Sequence, residues 1–237
     1  MENIILPKSE LDTLPFLHDE SEGAHAEVVR YKDGLIKRYR EDISDSMRLS
    51  LEENIKRSSE IFIYPKCLVF EKELFQKEKL RGTFMDEAKG IDLIRLQSKI
   101  LSGDVDLDID EFLTIYYDKL LPILKKEEVL IFDMKPYQIF IGTNFSYVDT
   151  DPFCDANTKT AKDFIKAQEL SAAYEWNLYE TNKCITSAFN IIFKNKVKSI
   201  LEFSDQNYIN DYIGIAIKLV NGKAKTFKEV EKYLNKH

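Results

Sequence analysis

The 237-residue chain carries 41 acidic against 34 basic residues, a formal net charge of −7, and its 44% hydrophobic and 32% charged content is that of a globular protein without a disordered majority. This balance disfavours non-specific attraction to nucleic acid or to an anionic membrane surface, and no apolar run approaches the roughly 20 residues of a spanning helix. Neither a nucleic-acid nor a membrane partner is expected. The length suffices for a full core, as one large domain or as two lobes. Cys67, Cys154 and Cys184 are odd in number and lack C-x-x-C spacing. That argues against a disulfide framework or a zinc site and for a reducing cytoplasmic location. His18, His25 and His237 share no ligand-like spacing, and residues 1–15 lack the basic start and apolar core of a signal peptide.

In chain order, residues 1–20 read as an irregular extension, with Pro7 and Pro15 as helix breakers. A small-residue turn, S-E-G-A-H-A, leads into a strand, turns at Lys32, Asp33 and Gly34, and returns as Leu35 to Tyr39. Asp-Gly between apolar-bearing strands signals a hairpin. Residues 44–60 have helical periodicity, with Ser44 or Asp45 as cap and Met47, Leu51, Ile55 and Ser58 along one face. Two strands follow, K-C-L-V-F-E-K and a second opening at Leu80, then a short helix over 91–103 that ends at Gly103. D-V-D-L-D-I-D-E lacks the glycine and glutamate spacing of a calcium loop and reads as a turn with a helix cap at Asp108 or Asp110. The amphipathic helix after it carries Phe112, Ile115, Tyr116, Leu120, Ile123 and Leu124 on one face.

The densest chemistry lies in residues 129–153. They read as a hairpin of two short apolar strands: the first, Val129 to Phe132, stops at Asp133, and Lys135, Pro136 and Gln138 precede the second run, Ile139 to Ile141. Gly142 and Asn144 supply a turn, and Phe145 to Val148 leads into Asp149, Thr150 and Asp151. An acid, a lysine, a carboxamide and a second acid at these spacings suit convergence on one point. Phosphoryl transfer needs such convergence: a base or orienter for the attacking hydroxyl, a cation for the moving group, and oxygen ligands for Mg²⁺. Beyond Phe153 the chain reads as a short loop, then helices over about 162–181, 183–202 and 207–220 and a last one from T-F-K-E-V-E-K-Y-L. Tyr174, Trp176, Tyr179, Phe189 and Phe193 are read as core aromatics there.

I-F-D-M-K-P-Y-Q followed by V-D-T-D resembles the H-R-D-L-K-P-x-N and D-F-G segments of the protein-kinase-like superfamily. G-L-I-K parallels its V-A-I-K, and G-T-F-M-D-E-A-K-G-I-D-L resembles its strand five, hinge and following helix. The resemblance implies an α+β, two-lobed fold: a small antiparallel N-lobe sheet with one helix over residues 21–88, and a mainly helical C-lobe over 89–237. It implies ATP and Mg²⁺ as cofactors and an ATP-dependent phosphotransferase acting on a hydroxyl of a protein or small molecule. The alternative is a pseudokinase, a nucleotide-binding or regulatory module with that fold.

The roles carry over residue by residue. Gly23 would lie over the triphosphate, and Lys37 would bind the inner phosphates, held by Glu52 or, alternatively, Glu53. Met85 would back the adenine pocket, with backbone atoms of Asp86 and Ala88 on the adenine edge, and Gly90 would allow the turn into the next helix. Asp133 would orient the acceptor hydroxyl, and Lys135 would offset charge on the γ-phosphoryl. Asp149, Gln138 and Asp151 would hold Mg²⁺. The chain departs from the family pattern in Ile131 and Phe132 for His-Arg, Gln138 for Asn, Thr150-Asp151 for Phe-Gly, and a single glycine in the first loop. A closing Ala-Pro-Glu is missing too.

Overall fold

The computed structural model describes residues 2–17, 26–73 and 77–201, together with 226, 229 and 232. It comprises two compact units, Met1–Ala88 with Val148–Asp151, and Lys89–Tyr147 with Pro152–His237.

The first unit is built on a five-stranded sheet in the order β1-β4-β5-β3-β2. Its strands are β1 (Ile4–Pro7), β2 (Ala26–Tyr31), β3 (Gly34–Tyr39), β4 (Cys67–Lys72) and β5 (Lys79–Met85), and its helices are α1 (Lys8–Thr13) and α2 (Asp45–Asn54). β1 runs parallel to β4 and the other neighbours are antiparallel, so the sheet is mixed rather than antiparallel. Within the stretch expected to be irregular, residues 4–13 therefore form regular elements. Pro7 ends β1 and, with its φ of −57°, sits as the N-cap of α1, where the missing N–H costs no helical hydrogen bond. Leu6 and Leu11 join Val29, Ile36, Cys67, Val69 and Phe84 in one core cluster.

Strand alternation sends the other side chains to a second cluster, Ala26, Tyr39, Leu51 and Leu68, with Met47 and Ile55 of the α2 segment packed against it. Ser44 caps α2 by accepting from the Met47 N–H at 3.2 Å. The helix stops at Asn54, so Ser58 is not on it. The β2–β3 turn is Lys32-Asp33, with Lys32 at φ 51°, and Gly34 already belongs to β3. Glycine is needed there for closeness, since a Cβ would lie 2.6 Å from the Met85 carbonyl and from the Phe84 ring.

The second unit opens with β6 (Ile91–Asp92) and α3 (Leu93–Ser102), which Asp92 caps by accepting from the Arg95 N–H at 2.9 Å. Asp108 caps α4 (Ile109–Thr114) in the same way, through Glu111. The helix continues through a π-helical stretch (Ile115–Leu120) into α5 (Leu121–Leu124), burying Phe112, Ile115, Tyr116, Leu120 and Leu124. Strands β8 (Ile139–Ile141) and β9 (Phe145–Tyr147) form a hairpin, and β8 also pairs with β6. β7 (Val129–Leu130) pairs instead with β10 (Cys154–Asp155). After α6 (Lys159–Ala167), one helix, α7 (Ala173–Leu201), runs through the boundary expected near residue 182.

The expected fold class is thus corrected. The chain is α+β, but a mainly helical second lobe is not shown. Among the described residues that unit sets a three-stranded and a two-stranded sheet beside its helices, and the first unit's sheet is mixed with two helices. The helix expected over 207–220 lies outside the described residues, as do His18, His25, His237 and the side chains of Phe189 and Phe193. Tyr174, Trp176 and Tyr179 are half-buried rather than core.

Candidate functional site

Leu35, Lys37 and Tyr39 share one face of β3 by the two-residue period of a strand, and Thr83 stands opposite Lys37 on β5. Gly82, beside Thr83, lets the two backbones close up, since a Cβ there would lie 2.4 Å from the Lys37 carbonyl oxygen. The Lys37 stem is largely buried, at 15% exposure, and its ammonium donates to two carboxylates, Asp149 and, at 2.6 Å, Asp151. Burial pulls the Lys37 pKa down, but the charges of Asp151 and Asp149 outweigh it and hold the ammonium above its ordinary range. Three charges in this cluster sum to −1, a local excess that favours a further cation.

Tyr39 completes the cluster. Its hydroxyl donates to Asp151 at 2.5 Å, and the Lys37 ammonium lies 5.5 Å from its ring centroid. Burial pushes the Tyr39 phenol well above its ordinary value, and the neighbouring Asp151 charge adds to this, so the hydroxyl stays protonated and donating. Asp149 has φ 63°, a conformation uncommon outside glycine. Thr150, between the acids, is 1% exposed; its carbonyl accepts from the Asn54 carboxamide at 3.3 Å and its hydroxyl donates to the Ile63 carbonyl at 3.3 Å.

In the second unit a different cluster forms where β7 ends. Asn177 on α7 accepts from the Ile131 N–H at 3.0 Å and donates to the Val129 carbonyl at 2.8 Å, while Trp176 donates to the Ile131 carbonyl at 2.8 Å. Ile131 is fully buried, and Phe132 packs edge-on against Phe164 at 5.2 Å between centroids. Ile131 and Phe132 thus serve as apolar anchors. Asp133 follows at φ 53°, mostly exposed, and pairs with the Lys135 ammonium. The hydrogen bond to Asp133 holds the Lys135 ammonium above its ordinary range.

Other expected site residues are placed differently. Gln138 is buried at 6% exposure, and its side-chain oxygen accepts from the Lys135 N–H at 2.7 Å, capping the 3-10 turn Pro136–Gln138. That oxygen is a cap before it is a metal ligand. Glu52 pairs with Arg48 at 2.9 Å along α2, and Glu53 is exposed, so the Lys37 partners shown are the two aspartates and not a helix glutamate. Met85 is buried at the end of β5, Asp86 is exposed and paired with Lys66 at 2.5 Å, and Ala88 is half-buried. Gly23 lies outside the described residues.

Residue order alone does not single out Tyr39 or Asn54. The signal for Tyr39 was its two-residue offset from Lys37; Asn54 offered only its place beside the Leu51–Ile55 seam. Among the described residues no group of three or more His, Cys, Asp or Glu is placed to hold a metal ion. Mg²⁺, however, is commonly held by one or two carboxylates together with phosphate oxygens and water, and the acceptor-only pair Asp149 and Asp151 suits that donor set. No described helix is long and apolar enough to cross a membrane. No protein-family model matches the chain, and no curated protein matches it significantly.

Proposed function

We propose that the protein binds ATP with Mg²⁺ and transfers the γ-phosphoryl group to a hydroxyl of a protein or small molecule. The observation that carries this reading is the meeting of Lys37 with two carboxylates from a segment more than 110 residues later in the chain. Packing alone has no need of a largely buried lysine that serves two acids and a tyrosine. Asp149 and Asp151 are assigned to the divalent cation, which would supply charge neutralisation at the phosphates. Lys37, paired electrostatically when no polyphosphate is present, is assigned to phosphate oxygens. Asp133 is assigned the orienting of the acceptor hydroxyl, and Lys135 the offsetting of charge on the transferred group. These are positioning and electrostatic roles, which is what phosphoryl transfer asks of a protein.

A second reading, nucleotide binding without turnover, is favoured by one observation: the Gln138 oxygen expected on the metal already caps a backbone N–H. Two measurements test the pair. Mg²⁺ and ATP together should raise the melting temperature, because ligand at 100 times its dissociation constant adds about 2.7 kcal/mol; no shift at millimolar nucleotide removes both readings. ATP turnover should then fall in Asp133→Ala. Binding with no turnover in the wild type selects the second reading.

A further inference from the structure

We propose that Asn54 is the positioning residue through which α2 sets the two acids of the Lys37 cluster. The inference rests on the phosphotransferase reading for what the acids are used for, but not for whether Asn54 places them.

Three consecutive polar residues end α2, and only the third is turned inward. Glu52 is drawn along the helix surface to Arg48, one turn earlier, and Glu53 is exposed. Asn54 is 2% exposed, and its carboxamide N–H reaches the carbonyl of Thr150. Thr150 is the residue between Asp149 and Asp151, so a hydrogen bond to its backbone acts on both acids at once.

The Thr150 hydroxyl is tied as well, to the Ile63 carbonyl, in the connection after α2. With both ends of Thr150 fixed, the Cα atoms on either side have little freedom. Asp149 then takes its left-handed backbone conformation, and both carboxylates reach the same ammonium. A carboxamide suits this task better than a carboxylate. Its N–H₂ is a donor, which the buried carbonyl requires, and it adds no third negative charge beside two acids.

The test is a double-mutant cycle on the full chain by urea unfolding, with wild type, Asn54→Ser, Lys37→Met and the two together. If Asn54 places the acids that meet the Lys37 ammonium, Lys37→Met lowers the folded-to-unfolded ratio at least about threefold less in the Asn54→Ser background than in wild type. A purely structural role lowers the stability of Asn54→Ser and leaves the effect of Lys37→Met unchanged. Additive losses overturn the proposal; sucrose in the buffer keeps the cycle measurable where the double variant is too unstable without it.

Binding of Mg²⁺ and ATP is measured on the same samples. Absence of binding in the wild type removes the phosphotransferase reading and leaves the coupling between Asn54 and Lys37 standing. Binding intact beside additive losses removes the role of Asn54 alone.

Discussion

The Tyr39 hydroxyl donates to Asp151 at 2.5 Å from two residues along the strand that also presents Lys37. One strand face therefore supplies both a cation and a neutral donor to the same carboxylate. Tyr39→Phe keeps the ring and its packing but leaves Asp151 with one partner fewer. A hydrogen bond to a charged group contributes about 1.5–3 kcal/mol, so urea unfolding should show a loss in that range. Any Mg²⁺-dependent nucleotide affinity should weaken as well, since the carboxylate loses its orientation. A Tyr39→Phe protein as stable as wild type would show that Asp151 is held by Lys37 alone.

The lysine at the centre of the cluster should shape stability at high pH. Its folded-state pKa lies above the ordinary 10.5 because Asp151 and Asp149 outweigh the opposing effect of burial. The stabilisation from this ion pair is therefore complete below pH 10.5 and is lost as pH rises through the folded-state value. Lys37→Met should abolish that alkaline loss. At neutral pH it should cost about 3–5 kcal/mol, the usual result of leaving partly buried charge without its partner. Unfolding free energies of both proteins from pH 7 to pH 11 measure the two effects, and parallel curves would argue that Lys37 is not the group responsible.

The parts of this arrangement differ in how far they could be read from residue order. The β2–β3 hairpin was legible because Asp33-Gly34 breaks two apolar-bearing strands, although Gly34 answers to a close neighbour rather than to the turn. The inward stripe of α2, Met47, Leu51 and Ile55, was legible from its period. Which polar residue turns inward with it was not, because Glu52, Glu53 and Asn54 are adjacent and Arg48 decides the fate of the first. A mainly helical reading of residues 89–237 failed for a physical reason. β6 and β10 are two residues long, too short to carry a period, and they exist only through partners distant in sequence. β1 is hidden in the sequence because Pro7 signals a break, whereas it stands between a strand and a helix and obstructs neither.

Both acids singled out by spacing, Asp133 and Asp149, sit in the left-handed region at φ 53° and 63°. Backbone in that region costs a residue with a Cβ on the order of 1–2 kcal/mol. Asp133 is the cleaner test, since its side chain is 71% exposed and its pairing with Lys135 contributes little to stability. Asp133→Gly should therefore be more stable than Asp133→Ala by about 1 kcal/mol in urea unfolding, while both lose ATP turnover. That combination would mean the strained conformation is kept for the carboxylate and not for the fold. Equal stability of the two variants would show that the loop relaxes freely.

Placing asparagine at position 138, as in the D-x-K-P-x-N pattern that this stretch resembles, separates two roles for Gln138. Its side-chain oxygen accepts from the Lys135 N–H at 2.7 Å from within the buried interior of its unit. Asparagine is shorter by one carbon–carbon bond, on the order of 1.5 Å, and cannot reach that N–H without moving the turn. Gln138→Asn should then cost about 1–3 kcal/mol, the range for a buried donor left unsatisfied, and should shift the Lys135 side chain away from Asp133. Turnover should fall with it. If turnover instead rises while the melting temperature holds, the position is limited by metal coordination, and capping is incidental to what the glutamine does.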